Sequence, residues 1–277
     1  MLVTLREVLK DAQEKHYGVG LFNTVNLEMA KGVLAAAEEL RSPVIIGTAE
    51  VLLPYASLEE LTYFLLPMAR KATVPVVLHY DHGLTEEKIM EALRLGFSSI
   101  MYDCSTDSYE NNIGRVAQMV KIARLFGASV EGELGHVGAN ESLTADDSIY
   151  TQPEEALDFV SRTGVDALAV AIGTAHGAYK EQPKLDIQRL SQIAGMVPTP
   201  LVLHGGSGLT DEDFQNCVAN GIAKINIFTD INCAAARAAY DNYREGRGLT
   251  DLQNEITQAV KQETMKKMRV FGSAGRG

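Results

Sequence analysis

The chain has 277 residues, 46% of them hydrophobic, with 25 Lys and Arg against 36 Asp and Glu for a net charge of −11. That supply of apolar side chains builds a sizeable core and excludes a disordered chain, while the acidic excess argues against nucleic acid or an anionic membrane surface as a main partner. Three widely spaced cysteines, Cys104, Cys217 and Cys233, with no CxxC, point to a reduced, cytoplasmic protein.

In chain order, the opening MLVTLREVLKDAQEKHY mixes charged and apolar residues and lacks the unbroken apolar stretch of a signal peptide. The first β-rich apolar run is VGLFN, Val19 to Asn23. A helical pattern over Leu27 to Arg41 follows, with Leu27, Ala30, Leu34 and Ala37 on one face. Next come PVIIG (Pro43 to Gly47) and PVVLHYD (Pro75 to Asp81). From there one joint recurs, an amphipathic helical pattern that ends in Gly and passes at once into an apolar run. The joints are MEALRLG to FSSIMYD at Gly96, VKIARLFG to ASVEGELG at Gly127, FVSRTG to VDALAVAIG at Gly164, and CVANG to IAKINIFT at Gly221. Gly supplies the left-handed turn that closes a helix before a strand. PLVLHGG (Pro200 to Gly206) completes a set of eight predicted strands. The uncharged stretch Leu190 to Thr210 carries Pro198, Pro200 and four glycines, which excludes a membrane helix.

Strands nearly continuous in Val, Ile and Leu are buried on both faces, as parallel strands are. Eight β/α units in this length predict one α/β domain over residues 1–277, a single (β/α)8 TIM barrel. A doubly wound sheet is the alternative, but no GxGxxG follows the first strand. The least regular segment, Gly135 to Gln152, is polar and longer than an ordinary βα loop, which suits either a lid or a decorative surface loop.

Active sites of such barrels gather at the C-terminal ends of the strands. The polar residues at those ends are Asn23, then Asp81 with His82, Asp103, Glu131 with Glu133, His176, His204, and Asn226 with Thr229. Of the six histidines, His79, His82, His176 and His204 lie at or near strand ends and His136 just beyond one; only His16 is elsewhere. A single such histidine is most simply a hydrogen-bonded rim residue, but three neutral imidazoles from different strands with one open position is the ligand set of a catalytic zinc. Alternation leaves open which three, and whether His79 or His82 reaches the metal. The matching VPVVLH and TPLVLH runs invite pairing His79 with His204. A phosphate site is suggested by Gly205, Gly206, Ser207 and Gly208 after the seventh run and by Asn226 to Thr229 after the eighth, just ahead of a helical pattern over Asn232 to Tyr240.

These residues resemble the class II, zinc-dependent fructose-bisphosphate and tagatose-bisphosphate aldolase family over almost the whole chain. The resemblance rests on FNTVNLE, HYDHG, MYDCS, VEGELG, VDALAVAIGTAHGAY, LVLHGGSG, IAKINIFT and a terminal FGSAGR. It implies reversible retro-aldol cleavage of a ketose 1-phosphate or 1,6-bisphosphate to dihydroxyacetone phosphate and an aldehyde, with Zn2+ stabilising the enediolate. It implies Asp81 as acid/base and His82, His176 and His204 as zinc ligands, and makes His79 a residue that packs behind them. Glu133 and Asp103 are implied to ligate the metal or to orient its histidines. Asn23, Gly177, Gly205, Gly206, Ser207, Asn226, Ile227, Phe228 and Thr229 are implied to hold the dihydroxyacetone phosphate half, with a monovalent cation (Na+ or K+) near Gly177 and Gly205. The second acid/base matches Glu141, in a loop shorter than the family's and without its double-acid string. Family habit implies a homodimer or homotetramer, with Arg276 approaching a substrate phosphate of its own or of a neighbouring subunit.

Tyr80, Gly83, MYDCS and TDSYENN depart from the family's usual strings on the aldehyde side, so the expected aldehyde need not be glyceraldehyde 3-phosphate. The rival reading is a non-catalytic barrel subunit that stabilises an aldolase partner; the presence of Asp81 with all three histidines speaks against it.

Overall fold

The computed structural model describes residues 1–137, 150–177, 179 and 182–277. Its strands are β1 (Leu2–Val3), β2 (Val19–Asn23), β3 (Val44–Ala49), β4 (Val76–Gly83), β5 (Ser99–Tyr102), β6 (Ser129–Leu134), β7 (Ala167–Val170), β8 (Leu201–Leu203) and β9 (Ile222–Ile227). Every pairing is parallel, in the order β4-β3-β2-β9-β8-β7-β6-β5, and β4 pairs with β5 to close the ring. The eight predicted runs are thus the eight staves of a (β/α)8 barrel. β1 is an addition: it pairs with Val76 and Val77 at the start of β4, below the point where β5 joins at His79.

Helices α1 (Leu5–Glu14), α2 (Leu27–Leu40), α3 (Leu58–Lys71), α4 (Glu86–Leu95), α5 (Tyr109–Leu125), α6 (Pro153–Thr163), α7 (Ile187–Met196), α8 (Asp211–Ala219), α9 (Thr229–Asn242) and α10 (Gln253–Val270) complete the chain. Gly96, Gly127, Gly164 and Gly221, which close helices ahead of β5, β6, β7 and β9, all take positive φ, between 69° and 113°, as the recurring joint requires. The outer core lies between the strands and α2 to α10, where outward residues such as Phe22, Ile46, Leu78 and Ile100 meet the helices.

The inner core is smaller and sits at the N-terminal end. Leu21, Ile45, Val77, Ala167, Ala169, Val202 and Ala223 point inward from six of the strands and meet Leu5, Val8, Leu9 and Ala12 of α1. Those four recur at i, i+3, i+4 and i+7, so they form one stripe, and a capping box between Thr4 and Glu7 starts the helix. α1 therefore plugs the barrel floor. One turn higher along the strands the inward positions change character, to His79, Asp81, Ser99, Glu131, Glu133, His204, Lys224 and Asn226, all buried. Arg276 lies at the floor end of its own barrel, over the ring of Tyr17.

Candidate active site

The polar layer opens into a cavity of about 440 Å³ at the C-terminal mouth of the barrel. All nine residues expected to hold substrate line it, from Asn23 through Gly177 and Gly205–Ser207 to Asn226–Thr229, together with Asp81, His82, Asp103 and His176. Glu141 lies outside the described residues.

Alternation alone turns Leu78, Tyr80 and His82 outward and His79 and Asp81 inward. At the end of β4 a register shift between Tyr80 and Gly83 breaks that rule, and His82 takes φ +44°, a left-handed conformation uncommon without glycine. Asp81 and His82 consequently both face the cavity, one after the other. His79 stays below, fully buried, with Nδ1 on Ser99 Oγ at 2.8 Å and Nε2 at 3.7 Å from Asp81.

His82, His176 and His204 come together from three different strand ends. One nitrogen of each lies within 4.8 Å of the others, and the rings meet edge to face, with centroids 4.5 to 5.8 Å apart. Two of the three rings are held from behind. His82 Nδ1 donates to Asp103 Oδ2 at 2.8 Å, and Asp103 is in turn held by the Ser105 hydroxyl at 2.7 Å. His204 Nε2 donates to Glu131 Oε1 at 2.8 Å. The remaining nitrogens, His82 Nε2 and His204 Nδ1, face each other 2.7 Å apart. Two acceptors at that distance repel unless a proton or a metal sits between them. His176 Nε2 is buried with no hydrogen-bond partner among the described residues. Burial, helped by His82 and His204, pushes His176 down to about 3, so it is neutral, as a metal ligand must be. The donor set therefore fits a three-histidine metal centre with carboxylates fixing two of its rings.

The surrounding charge has the sign such a cation needs. Burial opposes protonation of His82 most strongly, yet Asp81, the Asp103 bond and Glu133 together outweigh it and lift its pKa to about 9. Glu133 is fully buried; burial first and Asp103 second raise its carboxyl to about 8. Its Oε1 accepts from the Val137 amide at 3.1 Å, and Oε2, without a hydrogen bond, lies 3.8 Å from His204 Nδ1. Asp103, by contrast, touches the nitrogen of His82 that faces away from the other two rings.

Asp81 accepts from Asn23 Nδ2 at 2.8 Å and from Asn226 Nδ2 at 3.0 Å. Burial resists its ionisation, but His82, His79 and Lys224 hold it well below the usual carboxylate value, so it is charged at neutral pH. Lys224 is the residue that sequence reasoning missed. Its Nζ bridges Glu131 Oε2 at 2.9 Å and Asn226 Oδ1 at 2.7 Å. With the amide oxygen so occupied, the Asn226 NH2 is turned to Asp81. A signal was present in IAKINIFT, where a lysine interrupts an apolar run on the same strand face as Asn226.

On the β7 to β9 side the wall is backbone. Gly205 takes φ +65°, and a Cβ there would come within 2.4 Å of the Ala175 carbonyl oxygen. Tyr179 braces this turn, donating to Gly205 O at 2.7 Å and accepting from the Ala175 amide at 2.9 Å. The Phe228 amide donates to Ser207 Oγ at 3.2 Å, and α9 begins at the next residue, three positions ahead of the predicted helix. Its positive end is aimed into the cavity, as an anion site requires.

A family model for class-II fructose-bisphosphate aldolase matches residues 3–276. The chain belongs to the class-II fructose-bisphosphate aldolase family. A fructose-bisphosphate aldolase of Thermus caldophilus is 40% identical over 305 aligned positions, covering all of both chains. Among solved structures, the YdjI aldolase of Escherichia coli K12 superposes with a TM-score of 0.89 at 39% identity, covering 100% of this chain and 99% of that one. A putative fructose-1,6-bisphosphate aldolase of Coccidioides immitis gives 0.89 at 31% identity, over 98% and 97% of the two chains. This class-II aldolase chain is thus a lyase of a metal-dependent family, and no helix among its described residues is long and apolar enough to cross a membrane.

Proposed function

We propose that the protein catalyses the reversible cleavage of a ketose 1-phosphate or 1,6-bisphosphate to dihydroxyacetone phosphate and an aldehyde. In this reading His82, His176 and His204 hold a Zn2+ ion, with Asp103 and Glu131 orienting His82 and His204 and Glu133 within reach of the same ion. The bound metal supplies Lewis-acid stabilisation of the charge that develops on the ketone oxygen. Asp81, ionised and fixed by Asn23 and Asn226, takes the proton from the C4 hydroxyl as the C3–C4 bond breaks, and returns it to the aldehyde oxygen in condensation. Backbone N–H groups of Gly205–Ser207 and of the α9 N-terminus, from Asn226 to Thr229, hold the C1 phosphate, with Gly177 beside them. Glu141 serves as the acid/base that exchanges the proton at C3. A Na+ or K+ ion beside Gly177 and Gly205 belongs to the same phosphate site.

The observation that carries this reading is the convergence of His82, His176 and His204, with His82 Nε2 and His204 Nδ1 only 2.7 Å apart and a charged, amide-held Asp81 next in the chain. Retro-aldol turnover of a panel of ketose phosphates tests it. Dihydroxyacetone phosphate is expected to be released with Zn2+ present and to cease after chelation. Full zinc occupancy without release from any member would make the chain the non-catalytic subunit instead.

A further inference from the structure

The cavity has two unlike sides. On the β7 to β9 side, glycine backbone, Ser207 and a helix N-terminus form one anion site. The opposite side, from the ends of β3, β4 and β6, is built of Ala49, Val51, Leu52, Leu84 and Val137. Val51 and Leu84 are 67% and 48% exposed, so these branched side chains stand at the mouth with water on them. Beneath them Glu50 ties the two strand ends together. Its carboxylate accepts from the Leu84 amide at 2.7 Å, from the Thr85 amide at 3.3 Å and hydroxyl at 3.1 Å, and from the Tyr80 hydroxyl at 3.0 Å.

A second phosphate needs either cationic side chains or another cluster of free backbone N–H groups. Among the described residues no Lys or Arg lines the cavity. The Leu84 and Thr85 amides are already spent on Glu50. Residues 138–149, which continue the chain beyond Val137, contain no Lys or Arg, but do contain Glu141, Asp146 and Asp147. Lys180 is outside the described residues. A phosphate on the β3 and β4 side would therefore lie against apolar surface with no hydrogen-bond donor among the described residues free to meet it there, and desolvation would oppose it.

We propose that the aldehyde half of the substrate carries no phosphate, so the ketose is phosphorylated at C1 alone and the aldehyde product is uncharged. The proposal rests on the aldolase reading above. Bond formation joins C3 of dihydroxyacetone phosphate, which gives up a proton, to the aldehyde carbon, whose oxygen takes one up; the aldehyde's far end stays bare against Val51, Leu52 and Leu84.

Two measurements keep the proposal and the underlying reading apart. Exchange of the C3 protons of dihydroxyacetone phosphate in D2O, followed by NMR with the zinc-loaded enzyme, reports on the aldolase reading without any aldehyde; no exchange would remove that reading and this proposal with it. With exchange present, condensation of dihydroxyacetone phosphate is compared for glyceraldehyde and glyceraldehyde 3-phosphate, each as both enantiomers. The expected kcat/KM is at least ten-fold higher for the uncharged aldehyde, and Val51→Arg is expected to cut that preference at least ten-fold. An equal or higher kcat/KM for the phosphorylated aldehyde would overturn the proposal, as would a preference that Val51→Arg leaves unchanged.

Discussion

The two ends of the barrel interior are made by the same strands and the same alternation, yet they follow opposite rules. At the floor, inward positions such as Leu21, Ile45, Val77 and Val202 close on the apolar stripe of α1. A few ångströms higher, the next inward positions of these strands are Asn23, Gly47, His79 and His204, joined by Asp81, Glu131, Glu133 and Lys224 from their own or neighbouring strands. The floor gains its stability from area removed from water. The upper layer gives stability away, because each buried charge must be matched by a partner or left costly. What it obtains in exchange is a set of fixed tautomers and a carboxylate held ionised in a buried site.

This contrast is sharpest at Lys224. Lys224→Met would leave Glu131 as an unpaired buried carboxylate and free the Asn226 amide to rotate away from Asp81. The expected loss is about 3–5 kcal/mol in denaturant unfolding, with turnover also reduced; adding Glu131→Gln should recover part of the stability. A neutral Lys224→Met would show that the upper layer is not held together by paired charge. At the floor the expectation separates the two quantities. Leu9→Ala, at a fully buried position of the plug, is expected to cost about 2–5 kcal/mol of stability while kcat of the folded protein is unchanged. A fall in kcat without a loss of stability would break the division between the two ends.

The sequence made the staves legible because parallel strands buried on both faces leave long apolar runs, and the four glycine joints marked where helices stop. β1 was not legible: two residues, Leu2 and Val3, are too few to show any period, and their place is a gap left where β5 starts late. The plug was hidden too, since the charged face of α1 looks like that of any surface helix. Site residues at strand ends were readable as a set, because topology sends all C-terminal ends to one mouth. His82 was not readable from alternation, because its inward turn depends on a bulge at a non-glycine residue, and only the family resemblance assigned it. Lys224 was missed because a lysine within an apolar run is usually at a strand edge; here Glu131 and Asn226, distant in sequence, surround its ammonium.

The central claim is that Asp81 moves the proton while the three histidines hold the metal, and one variant separates these roles. For Asp81→Ala, zinc content by metal analysis and retro-aldol turnover are measured on the same preparation. The account predicts a full complement of zinc with cleavage reduced by about 10²–10⁴-fold, the usual contribution of a positioned acid/base. Turnover equal to that of the unaltered enzyme would contradict it.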